Sequence, residues 1–128
     1  MIFLGKEEKC DNLLEIIIVG QIRVGKTIFA KRLESNDYYE FKSLPMDYYP
    51  TIGFDYMNKN IKIKNKKYTL HFMVFSGNQV YERLISSLYK KANIFLIFYD
   101  WFETESFEIA KICYNQIKAF LKKRKNNK

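Results

Sequence analysis

Cysteine, histidine, glycine and proline are all scarce in this chain, and each shortage removes a class of protein. The 2 cysteines, Cys10 and Cys113, form no C-x-x-C pair. They can build neither a disulfide-stapled scaffold nor a zinc site, and two reduced thiols in a cytosolic protein are expected. The single histidine, His71, sits in the apolar stretch from Leu70 to Phe75; it reads as a satisfied strand residue, not a base or metal ligand. With 5 glycines and 2 prolines in 128 residues, collagen-like and low-complexity architectures are excluded. No run of about 20 apolar residues is present to span a bilayer. The opening Met1-Ile2-Phe3-Leu4-Gly5 is too short for a signal-peptide core and meets Lys6, Glu7, Glu8 and Lys9 at once. Acids are also few: 14 against 22 lysines and arginines, a formal charge of +8. Lys118, Lys122, Lys123, Arg124, Lys125 and Lys128 crowd the end, so a frayed basic tail is expected at about 122–128, with a weak attraction to anionic membranes. A nucleic-acid-binding domain is disfavoured, since no paired aromatic and basic recognition motif accompanies the charge.

What is present is a core. Apolar residues make up 48% of the chain and aromatics 17%, enough for a single domain at this length. Leu13 to Val19 is nearly continuous and rich in isoleucine, as a strand covered on both faces would be. A helix follows with Phe29, Ala30 and Leu33 on one side, ending near Ser35-Asn36-Asp37. Pro45 and Pro50 interrupt a long loop from Tyr38. Thr51 to Lys64 and Lys67 to Phe75 read as an antiparallel hairpin joined by Asn65-Lys66. After the break Ser76-Gly77-Asn78, the residues Tyr81, Leu84, Ile85 and Leu88 recur at helical spacing. Ile94 to Tyr99 is a second doubly buried strand, and about Thr104 to Lys123 a helix with Phe107, Ala110, Ile112, Cys113, Ile117 and Phe120 on its apolar face.

Between the first strand and its helix stands Gly20-Gln21-Ile22-Arg23-Val24-Gly25-Lys26-Thr27, which spells G-x-x-x-x-G-K-[ST]. Gly20 and Gly25 let backbone amides wrap an anion closely, and the start of the helix adds unsatisfied amides and the positive end of its dipole. Lys26 reaches the terminal phosphates as a point charge, and the Thr27 hydroxyl is a hard oxygen ligand suited to Mg²⁺. The spacing predicts a nucleotide phosphate site.

Strand, phosphate loop, helix, long loop, hairpin, glycine break, helix, strand and helix, in this order, resemble the Ras superfamily of small GTPases over nearly the whole chain. The wording is most similar to the Rab branch. Thr51-Ile52-Gly53-Phe54-Asp55-Tyr56 resembles Thr-Ile-Gly-x-Asp-Phe, Ser86-Ser87-Leu88-Tyr89-Lys90-Lys91-Ala92 resembles Ser-Ser-Tyr-Tyr-Arg-Gly-Ala, and Phe98-Tyr99-Asp100 with Glu105-Ser106-Phe107 resembles the next segment. The resemblance implies an α/β fold, a P-loop NTPase-type mixed sheet with helices on both faces, over one domain at 1–128 that lacks the last two strands and final helix. It implies GTP or GDP with Mg²⁺ as ligands. Gly20, Arg23, Val24, Gly25, Lys26, Thr27, Ile28, Thr51 and Gly77 would hold the nucleotide, Thr27 and Thr51 would ligate the metal, and Asn78 would stand at the water-positioning place. The role implied is a switch in vesicle trafficking that is cytoplasmic and able to sit peripherally on endomembranes. Effectors or regulators would meet the apolar triad Tyr56, Met73 and Leu88.

Departures from that pattern weaken the implied hydrolysis. Val74 replaces the aspartate that holds Mg²⁺ through water, and an isopropyl group accepts no hydrogen bond. Asn78 replaces glutamine and reaches less far by about one bond, roughly 1.5 Å. Ile22 crowds a place usually kept small. The segment from Thr27 to Thr51, which by the resemblance holds the family's switch I loop, is longer by about half a dozen residues than the family's pattern, although loop length alone adds little entropic cost. The guanine-clasping Asn-Lys-x-Asp and Ser-Ala-Lys segments, and the prenylated cysteines, find no counterpart, and Ile2 is incompatible with myristoylation. Without a following strand, Ile94 to Tyr99 is expected to be a bare apolar sheet edge and to drive self-association. Two readings stand open on these residues: a GTP-binding switch with slow or absent hydrolysis, and a pseudo-GTPase interaction module that binds no nucleotide.

Overall fold

The computed structural model describes residues 2–5, 12–35, 53–77 and 88–127. In chain order these form β1 (Ile2–Gly5), β2 (Leu13–Gly20), α1 (Lys26–Glu34), β3 (Phe54–Ile63), β4 (Lys66–Phe75), a 3-10 turn at Tyr89–Lys91, β5 (Ile94–Phe98) and α2 (Thr104–Asn126). The strands make one mixed sheet in the order β1-β5-β2-β4-β3. The pairs β5/β2 and β2/β4 are parallel, and the outer pairs β1/β5 and β4/β3 are antiparallel.

Both faces of the sheet are covered, and strand parity decides which residue goes where. Even-numbered Ile16, Ile18, Phe72, Val74 and Leu96 join Met57 and the Ala30 side of α1 in one cluster. Odd-numbered Ile17, Val19, Met73, Phe75, Phe95 and Ile97 join Ala110 and Ile117 of α2 in the other. The expected α/β architecture with helices on both faces is thus present, and Phe29, Ala30 and Leu33 form the buried side of α1 as anticipated.

Four local expectations are corrected. The hairpin turns one residue early, at Lys64-Asn65, both with positive φ (47° and 64°). Two successive left-handed residues match the twist of a two-residue hairpin, and asparagine tolerates that conformation. On α2, Ile112 and Phe107 are exposed. Ile112 lies roughly 150° around the helix from the Ala110–Ile117 row, while Tyr114 and Leu121 pack against the core instead. The basic run expected as a frayed tail is helical as far as Asn126, and the Arg124 guanidinium reaches the Ala92 carbonyl at 3.5 Å. The edge of β5 is not bare either: Ile2↔Ile97 through Gly5↔Ile94 pair antiparallel along it. The long loop from Tyr38 and the helix through Tyr81, Leu84 and Ile85 lie outside the described residues.

A buried serine ties β5 to α2. The Asp100 N–H donates to the Ser106 hydroxyl oxygen at 2.8 Å, and that hydroxyl lies 2.8 Å from the Glu103 carbonyl it can donate to. Ser106 is fully buried, so Ser106→Ala would strand the Asp100 amide. A loss of about 1–2 kcal/mol is expected, read as a lower midpoint in urea with an unchanged slope.

Candidate functional site

The C-terminal ends of β2 and β5 and the start of α1 converge at the loop from Gly20 to Gly25. Gly20 has φ +140°, and a Cβ there would lie 2.3 Å from the Phe98 carbonyl oxygen. Its lack of a side chain therefore serves the crossing of β5 as well as any ligand, a role that depends on a strand 78 residues away in sequence (98 minus 20). Arg23 (φ 66°) and Gly25 (φ 91°) are also left-handed. Alternation of this kind turns successive amides toward one concavity, the geometry of an anion nest. Gly25 is the N-cap of α1 and supplies no side-chain cap, and the first turn of the helix carries no acid. The N-cap thus supplies none of the side-chain acceptor that usually satisfies the leading amides of a helix.

Lys26 lies inside this cradle, 6% exposed. Its ammonium donates to the Gly20 carbonyl at 2.8 Å and to the Gln21 carbonyl. Burial lowers its pKa from 10.5 to about 8, partly offset by Cys113 on α2. Lys26 belongs to neither the His71–Glu15 nor the Lys111–Glu108 ion pair, and among the described residues the buried cation is held by two neutral dipoles and no carboxylate. Uncompensated buried charge is costly, and an anion in the nest would neutralise it. The residues present fit a phosphate.

Gly77 comes to the same place. A Cβ on it would lie 2.1 Å from the Ile22 nitrogen, 2.3 Å from the Gln21 carbonyl carbon and 2.7 Å from the Gly20 oxygen. Two glycine segments far apart in sequence therefore stack backbone on backbone, with the Ser76 N–H tied to the Gly53 carbonyl at 2.9 Å. Gly77→Ala should push the loop off its position. We expect a loss of about 1–3 kcal/mol in thermal stability, with weakened phosphate affinity in the same protein, both measurable by a calorimetric scan with and without pyrophosphate.

The other anticipated residues divide into three groups. Val24 is half-buried in the loop and Thr27 half-buried on the first turn of α1, where its hydroxyl is the candidate Mg²⁺ ligand among the described residues. Arg23, Ile22 and Ile28 are exposed, Ile22 on the loop's rim. Thr51 and Asn78 lie outside the described residues. Val74 is fully buried in the α1-side cluster and offers no oxygen.

Tyr56 and Met73 are cross-strand partners, and Leu88 packs against the cluster that contains Met73. Of the three, Met73 is buried, Leu88 half-buried, and Tyr56 is 48% exposed. Sequence reasoning missed what holds Tyr56: its phenol oxygen is 2.6 Å from His71 Nδ1, which is also 3.1 Å from Glu15 Oε1. Partial desolvation and the Glu15 carboxylate hold that phenol above its usual range. His71 is a satisfied strand residue, as expected.

A model of the Ras family matches residues 15–127. The intraflagellar transport protein 27 homolog of Trypanosoma brucei brucei is 30% identical over 108 residues, 83% of this chain and 56% of that protein. The GTP-binding protein YPTC5 of Chlamydomonas reinhardtii is 31% identical over 97 residues, 76% and 44% respectively. The human Ras-related protein Rab-3A is 28% identical over 116 residues, 91% and 50%. The chain spans about half the length of the curated relatives it matches. With an anion-nest loop at the end of β2 and a family match over nearly all of its length, the chain belongs to the Ras family.

Proposed function

We propose that this chain acts as a Rab-like small GTP-binding protein, a nucleotide-dependent switch in intracellular transport whose hydrolysis is slow or absent. The observation that carries the reading is the buried Lys26 ammonium, seated on the Gly20 and Gln21 carbonyls in an uncapped nest with no carboxylate partner among the described residues. Lys26 would neutralise the phosphates, Gly20 to Gly25 and the first amides of α1 would bind their oxygens, and Gly77 would hold the loop from the other side. Bound Mg²⁺ would neutralise charge on the phosphates, with Thr27 and Thr51 as its protein ligands. Val74 and Asn78 are the reasons for expecting little turnover, because neither supplies the carboxylate or the reach that positions metal and water.

The transport route follows from the relatives' names. The intraflagellar transport protein 27 homolog points to intraflagellar traffic and the resemblance to the Rab branch to vesicular traffic, with exposed Tyr56 and half-buried Leu88, over buried Met73, as the effector surface. No helix among the described residues is long and apolar enough to cross a membrane, and a peripheral attachment fits the role. Isothermal titration with GDP and GTP in Mg²⁺ tests the reading: saturable binding supports it.

A second reading has its own observation. Val74 is sealed under α1 and Ile22 stands exposed on the rim of the cradle, so metal ligation is impaired and the γ-phosphate place is crowded. In that reading the chain is an interaction module without nucleotide. Heat-silent titrations together with an intact thermal transition would favour it.

A further inference from the structure

Two large aromatic side chains stand in water where β5 hands over to α2: Trp101 is 82% exposed and Phe102 93%. The turn that carries them is tied down. The Phe102 N–H donates to Asp100 Oδ1 at 2.9 Å, the Glu103 N–H donates to the Asp100 carbonyl at 3.1 Å, and the Asp100 N–H is held by buried Ser106. Exposed aromatic surface is unfavourable in water, yet here hydrogen bonds fix it outward.

Beyond the exposed acids Glu103, Glu105 and Glu108, a basic flank begins at Lys111 and runs along α2. At 100° per residue, Lys111, Lys118, Lys122 and Lys125 fall within an arc of about 60°, and all four are exposed. Aromatic rings support two of them: the Lys111 ammonium is 5.3 Å from the Phe107 ring centre and that of Lys118 is 5.7 Å from Tyr114. Glu108 is paired with Lys111 at 2.7 Å. The helix is 23 residues long, about 35 Å, and its lysine flank is convex.

We propose that the Trp101-Phe102 turn and the lysine flank of α2 form one docking face for a negatively charged lipid surface. Charge complementarity supplies the long-range attraction in a chain of formal charge +8. Lysine stems lie along apolar surface with their heads in the phosphate layer, while tryptophan and phenylalanine seat at the headgroup boundary. A single-stranded nucleic acid is the weaker fit, because stacking needs open rings along a groove, and the Phe107 and Tyr114 rings on this convex flank already carry lysines. None of the residues of this face is among those that line the cradle, so the inference does not depend on nucleotide binding.

Trp101 is the only tryptophan in the chain, so its emission reports from the proposed point of insertion. The full chain is titrated with phosphatidylcholine vesicles with and without phosphatidylserine, at low and raised salt, followed by fluorescence and co-sedimentation. Partition onto the anionic vesicles, a blue shift of Trp101, weakening by salt and no binding to neutral vesicles are expected. The triple change Lys118→Gln, Lys122→Gln, Lys125→Gln should lower partition about a hundredfold, at roughly fivefold per lysine. Phe102→Ser should lower it about tenfold, with unchanged thermal midpoints in both variants because the replaced side chains are exposed. Absence of partition overturns the proposal, as does sedimentation with unshifted Trp101 emission. Binding to oligouridylate but not to anionic vesicles also overturns it and reassigns the face to nucleic acid.

Discussion

Lys26→Ala is expected to lower affinity for GDP, and for pyrophosphate, at least a hundredfold while leaving the fold intact. Removing one partner of a desolvated charge pair costs about 2–5 kcal/mol of binding, here the loss of the buried cation of the cradle. In the unliganded protein the same substitution removes a buried charge held by two carbonyl dipoles and no carboxylate among the described residues, and deleting such a group is often neutral for stability. Loss of affinity without loss of thermal midpoint distinguishes this variant from Gly77→Ala, which should lose both. Proton linkage adds a second readout. The folded pKa of about 8 lies below the unfolded value of 10.5. Between these limits the unfolded chain binds more protons at this position, so the group's contribution makes the unliganded fold more stable as pH rises from about 8 to 10.5. Phosphate favours the charged form, so binding above pH 8 takes up a proton and affinity should fall by up to about tenfold per pH unit. That slope should be absent in Lys26→Ala. Titration calorimetry in two buffers of different ionisation heat measures both effects, and an unchanged affinity in the variant would sink the phosphate role of Lys26.

Local patterns announced those parts of the structure that depend on neighbours in sequence. The alternation in Ile16 to Val19 and Phe72 to Phe75 sorts directly onto the two helix-covered faces, because side-chain direction in a strand has a period of two whatever the partner. The spacing of Gly20, Gly25, Lys26 and Thr27 was likewise readable, since the loop's chemistry is carried by adjacent residues. Long-range contacts were not. The seat of Gly77 on the Gln21-Ile22 backbone and the crossing of Gly20 by Phe98 arise from elements that meet only after the sheet forms. The Lys64-Asn65 turn was misplaced by one residue because lysine carries no local preference for the left-handed conformation it adopts. Thr51 and Asn78 lie outside the described residues, and their roles still rest on the resemblance.

The least legible element is β1, and its removal should change the protein's behaviour most visibly. Ile2-Phe3-Leu4-Gly5 is too short to declare itself: an apolar four-residue run ended by glycine suits many contexts, and its partner strand begins at Ile94. Its consequence is topological. β5 is continuously apolar with both faces buried, the composition of a central strand, and without β1 its amides and carbonyls on one side would face solvent. Such an edge templates pairing with another chain. A chain beginning at Lys6 should therefore lose the four cross-strand pairs from Ile2 to Gly5, about 2–4 kcal/mol, and its thermal midpoint should fall by roughly 10 °C or more. Size-exclusion chromatography with light scattering should then show oligomers at concentrations where the full chain is monomeric. Moving the run is a sharper control than deleting it: the peptide Ile2–Gly5 supplied on a fresh linker at the same end should restore the monomer, because the pairing needs only backbone and an apolar pattern. A monomeric deletion variant with an unchanged midpoint would mean that β1 contributes nothing to the edge, and that the apolar run of β5 is protected by the helices on its faces alone.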